Sequence, residues 1–231
     1  MSDAPAAVVV TAMEEEAQPF LERADSVGGE VPGIRESRRD LVIAGRRVAL
    51  IRGGIGFANA TGAIAYAFYA FGAETPVISA GSAGGLQQGI RVGDVVVGSR
   101  YVNMNADATA FGYVLGQVPG MPEAYAPDAP LSAAALGAGQ GDSVRAGVIG
   151  SSETFVTATR AIAFREGFPD VAAVDMESAA MAQFAHTHGQ RFLSVRAISD
   201  LCAPDGTEFL THIDGAADRS AEVVAALIAA I

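Results

Sequence analysis

The 231-residue chain has a single cysteine, Cys202. One cysteine closes no internal disulfide, which suits a reducing cytoplasm. Charge is also scarce, and positive charge scarcest. Only 18% of residues are charged, and 15 basic against 26 acidic side chains leave a net charge of −11. Such a surface repels nucleic acid and anionic lipid, so neither is an expected partner. Long apolar runs are missing, so no membrane span is read. Residues 1–7 have no basic region leading into a long apolar stretch, so no signal peptide is read either, and they are taken as a disordered tail. Internal repeats, low-complexity tracts and linkers are absent.

Half of the residues are hydrophobic, which argues against disorder and for a sizeable core. One domain over residues 8–231 is the simplest organisation. Val8–Val10, Val77–Ser79, Val95–Val97, Ala146–Ile149, Val171–Val174 and Phe192–Val195 read as strands. Leu41–Ala44 and Val48–Arg52 flank Gly45-Arg46-Arg47 as a hairpin. Helices are expected near Ala58–Phe71, Thr159–Glu166, Glu177–His188 and Gly215–Ala230. Another begins at Glu15 or Glu16, since Pro19 belongs in a first helical turn. Met104–Pro130 carries four prolines and several glycines and reads as one long loop. Strands alternating with helices predict an α/β fold: a largely parallel, twisted sheet flanked by helices.

Such sheets bind ligands at the carboxyl ends of their strands. Glu14–Glu16, Ser82, Asp175, Glu177, Arg196, Ser199 and Asp200 all fall at such ends. Each also has a plainer reading. Glu14–Glu16 suits a solvated helix start. Gly81-Ser82-Ala83-Gly84-Gly85 suits a tight turn, and without a Lys-Ser/Thr ending it is no phosphate-binding loop. Asp175 suits a helix cap, and Arg196 with Asp200 suits a buried ion pair. His186 and His188, two residues apart, do not make a metal site.

The motifs Ala12-Met13-Glu14-Glu15-Glu16, Gly81–Leu86, Thr109-Ala110-Phe111-Gly112-Tyr113, Asp175-Met176-Glu177 and Val195–Asp200 occur in this order. Together they resemble bacterial 5′-methylthioadenosine/S-adenosylhomocysteine nucleosidases, from about Val8 to the end of the chain. Gly116-Gln117-Val118-Pro119-Gly120 favours that branch of the nucleoside-cleaving enzymes. The resemblance implies a mixed-sheet, single-domain nucleoside phosphorylase-like fold, with no cofactor and no metal. It implies an adenine nucleoside as substrate and hydrolysis of its N-glycosidic bond. Asp200 would protonate N7, oriented by Ser199. Phe155 would stack on adenine and the Val156 backbone would read its edge. Glu177 would hold the ribose hydroxyls, with Met176 against the sugar. Glu16 would activate water, helped by Ser82 and Arg196. Met13 and Ile55 would line the 5′-thioether pocket, and Phe209 is the candidate to close it. Phe111, Tyr113 and Pro119 would cross from a second copy, making a homodimer with a shared site.

Related phosphorylases hold phosphate with glycine and arginine after the first strand. Met13-Glu14-Glu15-Glu16 stands there instead, and carboxylates repel a phosphate dianion. The sequence also departs from the family. It has Met104-Asn105 for His-Asp, Asp175 for the first Glu of Glu-Met-Glu, and a short segment between Leu201 and Glu208. A futalosine-type or other purine nucleoside hydrolase, and a catalytically silent adenine-nucleoside-binding protein, are the alternatives.

Overall fold

A computed structural model describes residues 4–32, 37–139, 143–202 and 205–231. Its elements run β1 (Ala7–Thr11), α1 (Glu14–Arg23), β2 (Ser26–Pro32), β3 (Ser37–Ile43), β4 (Arg46–Arg52), α2 (Phe57–Phe71) and β5 (Val77–Gly85). They continue with β6 (Val95–Asn103), α3 (Ala129–Ala138), β7 (Val144–Ser151), α4 (Ala158–Gly167), β8 (Val171–Asp175), α5 (Ser178–His188), β9 (Phe192–Asp200) and α6 (Thr207–Ala230).

The strands form one mixed sheet in the order β2-β3-β4-β1-β5-β8-β7-β6-β9, and β9 also pairs with β5. Strands β5, β8, β7, β6 and β9 therefore close on themselves. β1 runs parallel to β4 and β5, and β5 parallel to β9, whereas β5–β8 and β6–β9 are antiparallel. Helices cover both faces. Ala17 and Phe20 of α1, Leu131 of α3 and Val224 and Leu227 of α6 pack with Val9, Ile78, Ala80 and Val195. Ala63 and Ile64 of α2 and Met181 of α5 pack with Val8, Val10, Ile51 and Ile149 on the other face. Consecutive strand residues point to opposite faces, so the apolar run Val8-Val9-Val10 serves both cores.

Several expectations need correction. The ordered chain reaches further toward the N-terminus than residue 8. Ala7 is fully buried within β1, and Ala6 N donates to Arg47 O; residues 1–3 of the expected tail lie outside the described residues. Helix α1 starts at Glu14, which places Pro19 in its second turn. Glu16 turns back to accept from Met13 N, the residue that caps the helix, and this fixes the earlier start. Gly81–Gly85 is no turn but the second half of β5. Ser199 and Asp200 lie inside β9 rather than beyond it. The long loop ends early, because Asp128 accepts from Leu131 N and starts α3 with Pro130 in its first turn. Helix α6 begins at Thr207 and runs through Gly215. The hairpin between β3 and β4 is present, turned by Ala44 and Gly45 at φ 49° and 72°.

Candidate active site

Beyond the carboxyl ends of β1, β5, β8 and β9 lies a cavity of about 170 Å³. Eleven of the residues picked from the sequence line it: Met13, Glu16, Ile55, Ser82, Phe155, Val156, Met176, Glu177, Ser199, Asp200 and Phe209. Asp175, another of the strand-end candidates, lines it too, as do Ala12, Ala83, Gly84, Thr154 and Val174, which were not picked. Small and apolar residues that contribute walls or backbone carry no chemical signal of their own.

Glu16 is 3% exposed. Its Oε1 accepts from Ser82 N at 2.9 Å and Ser82 Oγ at 3.0 Å. Its Oε2 accepts from Ala12 N at 2.9 Å and Met13 N at 3.3 Å. The carboxyl group is thus pinned between the end of β1 and the middle of β5. Gly81 makes room for this. A Cβ there would sit 2.3 Å from Glu16 Oε1 and 2.6 Å from Arg196 Nη1.

Arg196 lies beneath the cavity rather than in its lining. It pairs with Asp175, not with Asp200: its Nε donates to Asp175 Oδ2 at 2.7 Å, both side chains being 1% exposed. Its Nη2 lies 3.6 Å from Glu177 Oε2 and donates to Ser79 Oγ at 2.8 Å. Register explains the choice of partner. Arg196 stands opposite Gly81 on β5, while Asp200 is four residues further along β9. Asp175 also accepts from Ser178 N at 3.2 Å and from the Ser151 and Ser178 hydroxyls. It therefore serves the start of α5 and neutralises Arg196 at once.

Glu177 Oε1 accepts from Gly56 N at 3.1 Å, at the start of α2. Burial pushes the Glu177 carboxyl up to about 8, the charges of Asp175 and Glu16 push the same way, and Arg196 opposes them. Asp200 is held differently. Ser199 Oγ donates to its Oδ2 and Cys202 N to its Oδ1, both at 2.9 Å. Burial raises the Asp200 carboxyl above the ordinary range, these two donors pull it down, and Glu208 pushes it up.

Phe209 does reach the site despite the short preceding segment. The early start of α6 carries its ring to 5.6 Å from Phe155, edge to face. The Met104-Asn105 departure also has a visible effect. Asn105 Oδ1 accepts from Glu153 N at 2.7 Å and its amide donates to Ser152 Oγ at 3.3 Å, tethering the strip that leads to Phe155. Phe111, Tyr113 and Pro119 stand apart from the cavity, and Phe111 is 84% exposed. Among the described residues, no group of three or more His, Cys, Asp or Glu side chains is arranged to hold a metal ion. No helix among them is long and apolar enough to cross a membrane.

The family model of the phosphorylase superfamily matches residues 6–229, so the chain belongs to that superfamily. Within it, the chain belongs to the 5′-methylthioadenosine/S-adenosylhomocysteine nucleosidases. The nucleosidase of Geobacillus thermodenitrificans is 34% identical over 97% of both chains, and that of Geobacillus kaustophilus 36% identical over 96% of both. The crystal structure of the Neisseria meningitidis nucleosidase, in complex with methylthio-immucillin-A, superposes with a TM-score of 0.92. It is 38% identical, covering 97% of this chain and 99% of that one.

Proposed function

We propose that this protein hydrolyses the N-glycosidic bond of 5′-methylthioadenosine and S-adenosylhomocysteine, releasing adenine. The observation that carries the reading is that Glu16, Asp200 and Glu177 line one cavity. Asp200 delivers its proton to N7 of adenine. Its raised proton affinity suits a general acid. The C1′–N9 bond breaks, and its electron pair leaves with the base. Positive charge grows on the ribose, where Glu177 accepts from the 2′- and 3′-hydroxyls and in its ionised form stabilises the cation. Water adds to C1′ and gives its proton to Glu16. Ser82 Oγ, which now bonds Glu16, can rotate to share that water. Arg196 holds Asp175 and Glu177 from below. Phe155 stacks on the base, Val156 reads its edge through the backbone, and Met176 packs on the sugar. Met13, Ile55 and Phe209 take the 5′-thioether.

The active unit is a homodimer in this reading. Phe111, Tyr113 and Pro119 lie on a loop that leaves an aromatic ring largely exposed, and an exposed apolar patch of this kind suits a contact with a second copy. The single buried cysteine fits a reducing cytoplasm.

The test is adenine release from methylthioadenosine, adenosylhomocysteine and futalosine, each with and without phosphate. Release from the two thioethers without phosphate is expected. A ribose 1-phosphate as the product would defeat the hydrolase reading, futalosine as the sole substrate would replace the specificity, and no turnover would leave a binding protein. Light scattering at assay concentration tests the dimer, and a fully active monomer would remove the shared site.

A further inference from the structure

Ser220, on α6, is a fully buried hydroxyl that the chemistry above does not use. Its Oγ accepts from Gly81 N at 3.1 Å and donates to Val195 O at 3.1 Å. Those two backbone groups face each other in the parallel pairing of β5 with β9. Val77 N donates to Arg191 O at 2.9 Å at the start of β5. Four residues on, the same spacing brings Gly81 N to Val195 O. A helix side chain thus joins one rung of the central sheet.

The rung it joins is the one the site depends on. On one face of Gly81, Glu16 Oε1 and Arg196 Nη1 cross where a Cβ would stand. Ser220 reaches it from the opposite face, where Ala216 and Ala221 of α6 pack with Ala80, Val195 and Ala197. The next residue is Ser82, whose N–H and hydroxyl both hold Glu16. Glycine has no side chain to fix its own position and pays the largest loss of backbone freedom on ordering. Where two charged groups press on a glycine from one side, a hydrogen-bonded anchor on the other sets how far its peptide yields.

We infer that Ser220 is a positioning residue for the reaction: it clamps the Gly81 peptide between β5 and β9 and so sets where Ser82 presents Glu16 to the attacking water. The inference rests on the hydrolase reading and adds a residue outside the cavity to it. Its effect falls on the water-activating step. Substrate contacts made by Phe155 and Phe209 do not run through Gly81, and Glu177 is also held by Gly56 N at the start of α2. Loss of the hydroxyl therefore lowers kcat and leaves KM nearly unchanged. Misplacement of a reacting group by a fraction of an ångström costs about tenfold in rate.

The experiment compares Ser220→Ala with the pair Ser220→Thr and Ser220→Val, which match in shape and differ only in the hydroxyl. Wild type is run alongside with methylthioadenosine, and active sites are titrated so that rates refer to folded enzyme. Ser220→Ala and Ser220→Val should lose about tenfold in kcat, with KM within about twofold, and Ser220→Thr should recover most of the loss. The amide signals of Gly81 and Ser82 should shift in Ser220→Ala and Ser220→Val but return toward wild type in Ser220→Thr. Equal kcat across the set, or a loss that follows thermal stability alone, would overturn the inference while wild-type turnover still upheld the hydrolase. An inactive wild type would defeat the hydrolase reading instead, and unmoved amides at Gly81 and Ser82 would then dispose of the clamp as well.

Discussion

Two regions of the same cavity surround their buried carboxyl groups differently. Around Glu16 and Glu177 there is a dense network: Asp175 and Arg196 pair at 2.7 Å, Arg196 lies 3.6 Å from Glu177, and Glu16 accepts from four donors. Around Asp200 two donors are seen among the described residues, and the charge acting on it is the like charge of Glu208. Negative charge is thus met by four donors at Glu16 and by Arg196 at Asp175, whereas burial favours the protonated form of both Asp200 and Glu177. The proposed hydrolysis draws on that contrast, with Glu16 taking a proton from water and Asp200 giving one to the leaving base.

Asp200→Asn puts the comparison to its hardest test. The amide keeps the shape and removes the proton. Adenine release should fall about 10²- to 10⁴-fold, as for loss of a general acid. Binding of a substrate analogue, followed by calorimetry, should change little. Retention of most turnover would show that the sparse region is not the acid.

Arg196→Met removes the cation from the dense region and strands Asp175 beside Glu177. Removing one partner of a buried pair costs about 3–5 kcal/mol, which urea unfolding should register at neutral pH. An unchanged midpoint would mean that the network does not depend on its one buried arginine.

Glu177→Gln sharpens the same point through pH. Glu177 ionises near 8 in the fold against an ordinary value of 4.5. The folded state therefore holds that proton more tightly, and the resulting stability is present below 4.5 and lost as pH rises to 8. Within this window the wild type should lose stability relative to the variant by at most roughly 1.4 kcal/mol per pH unit. Unfolding curves for the two proteins at pH 5 and pH 8 measure it, and a gap that does not widen would contradict the raised value.

The smallest expected effect lies at the mouth. Phe209→Ala deletes the edge-to-face contact with Phe155. Such a contact is worth about 0.5–1.5 kcal/mol, so KM for thioether substrates should rise about two- to tenfold with kcat little changed. A fall in kcat alone would move Phe209 out of the binding role.

Central elements were readable because burial on both faces leaves an apolar run in the sequence, as in Val8–Val10 and Val171–Val174. Peripheral ones were not. β2 is the edge strand Ser-Val-Gly-Gly-Glu-Val-Pro, with Val27 and Val31 about half exposed, so no apolar pattern marks it. α3 is rich in alanine and shows little contrast between its faces, and Pro130 drew attention to a loop although Asp128-Ala129-Pro130 is also a sound helix start. Gly81–Gly85 looked like a turn because glycine is neutral about strand or turn until its neighbours are known.

The amino-acid order by itself determined the alternation of strands and helices, the acidic run after β1 where phosphorylases hold phosphate, and the set of polar residues at strand ends. All of these are local, written in runs, caps and spacings of a few residues. Tertiary structure alone decided which polar groups meet. Ser82 bonds Glu16 across 66 positions of chain, Gly56 bonds Glu177 across 121, and Gly81 bonds Ser220 across 139. It also gave Arg196 to Asp175 rather than to Asp200. The physical reason is register. A buried charge takes the opposite charge that the sheet places within reach, and no short stretch of sequence records which residue that is.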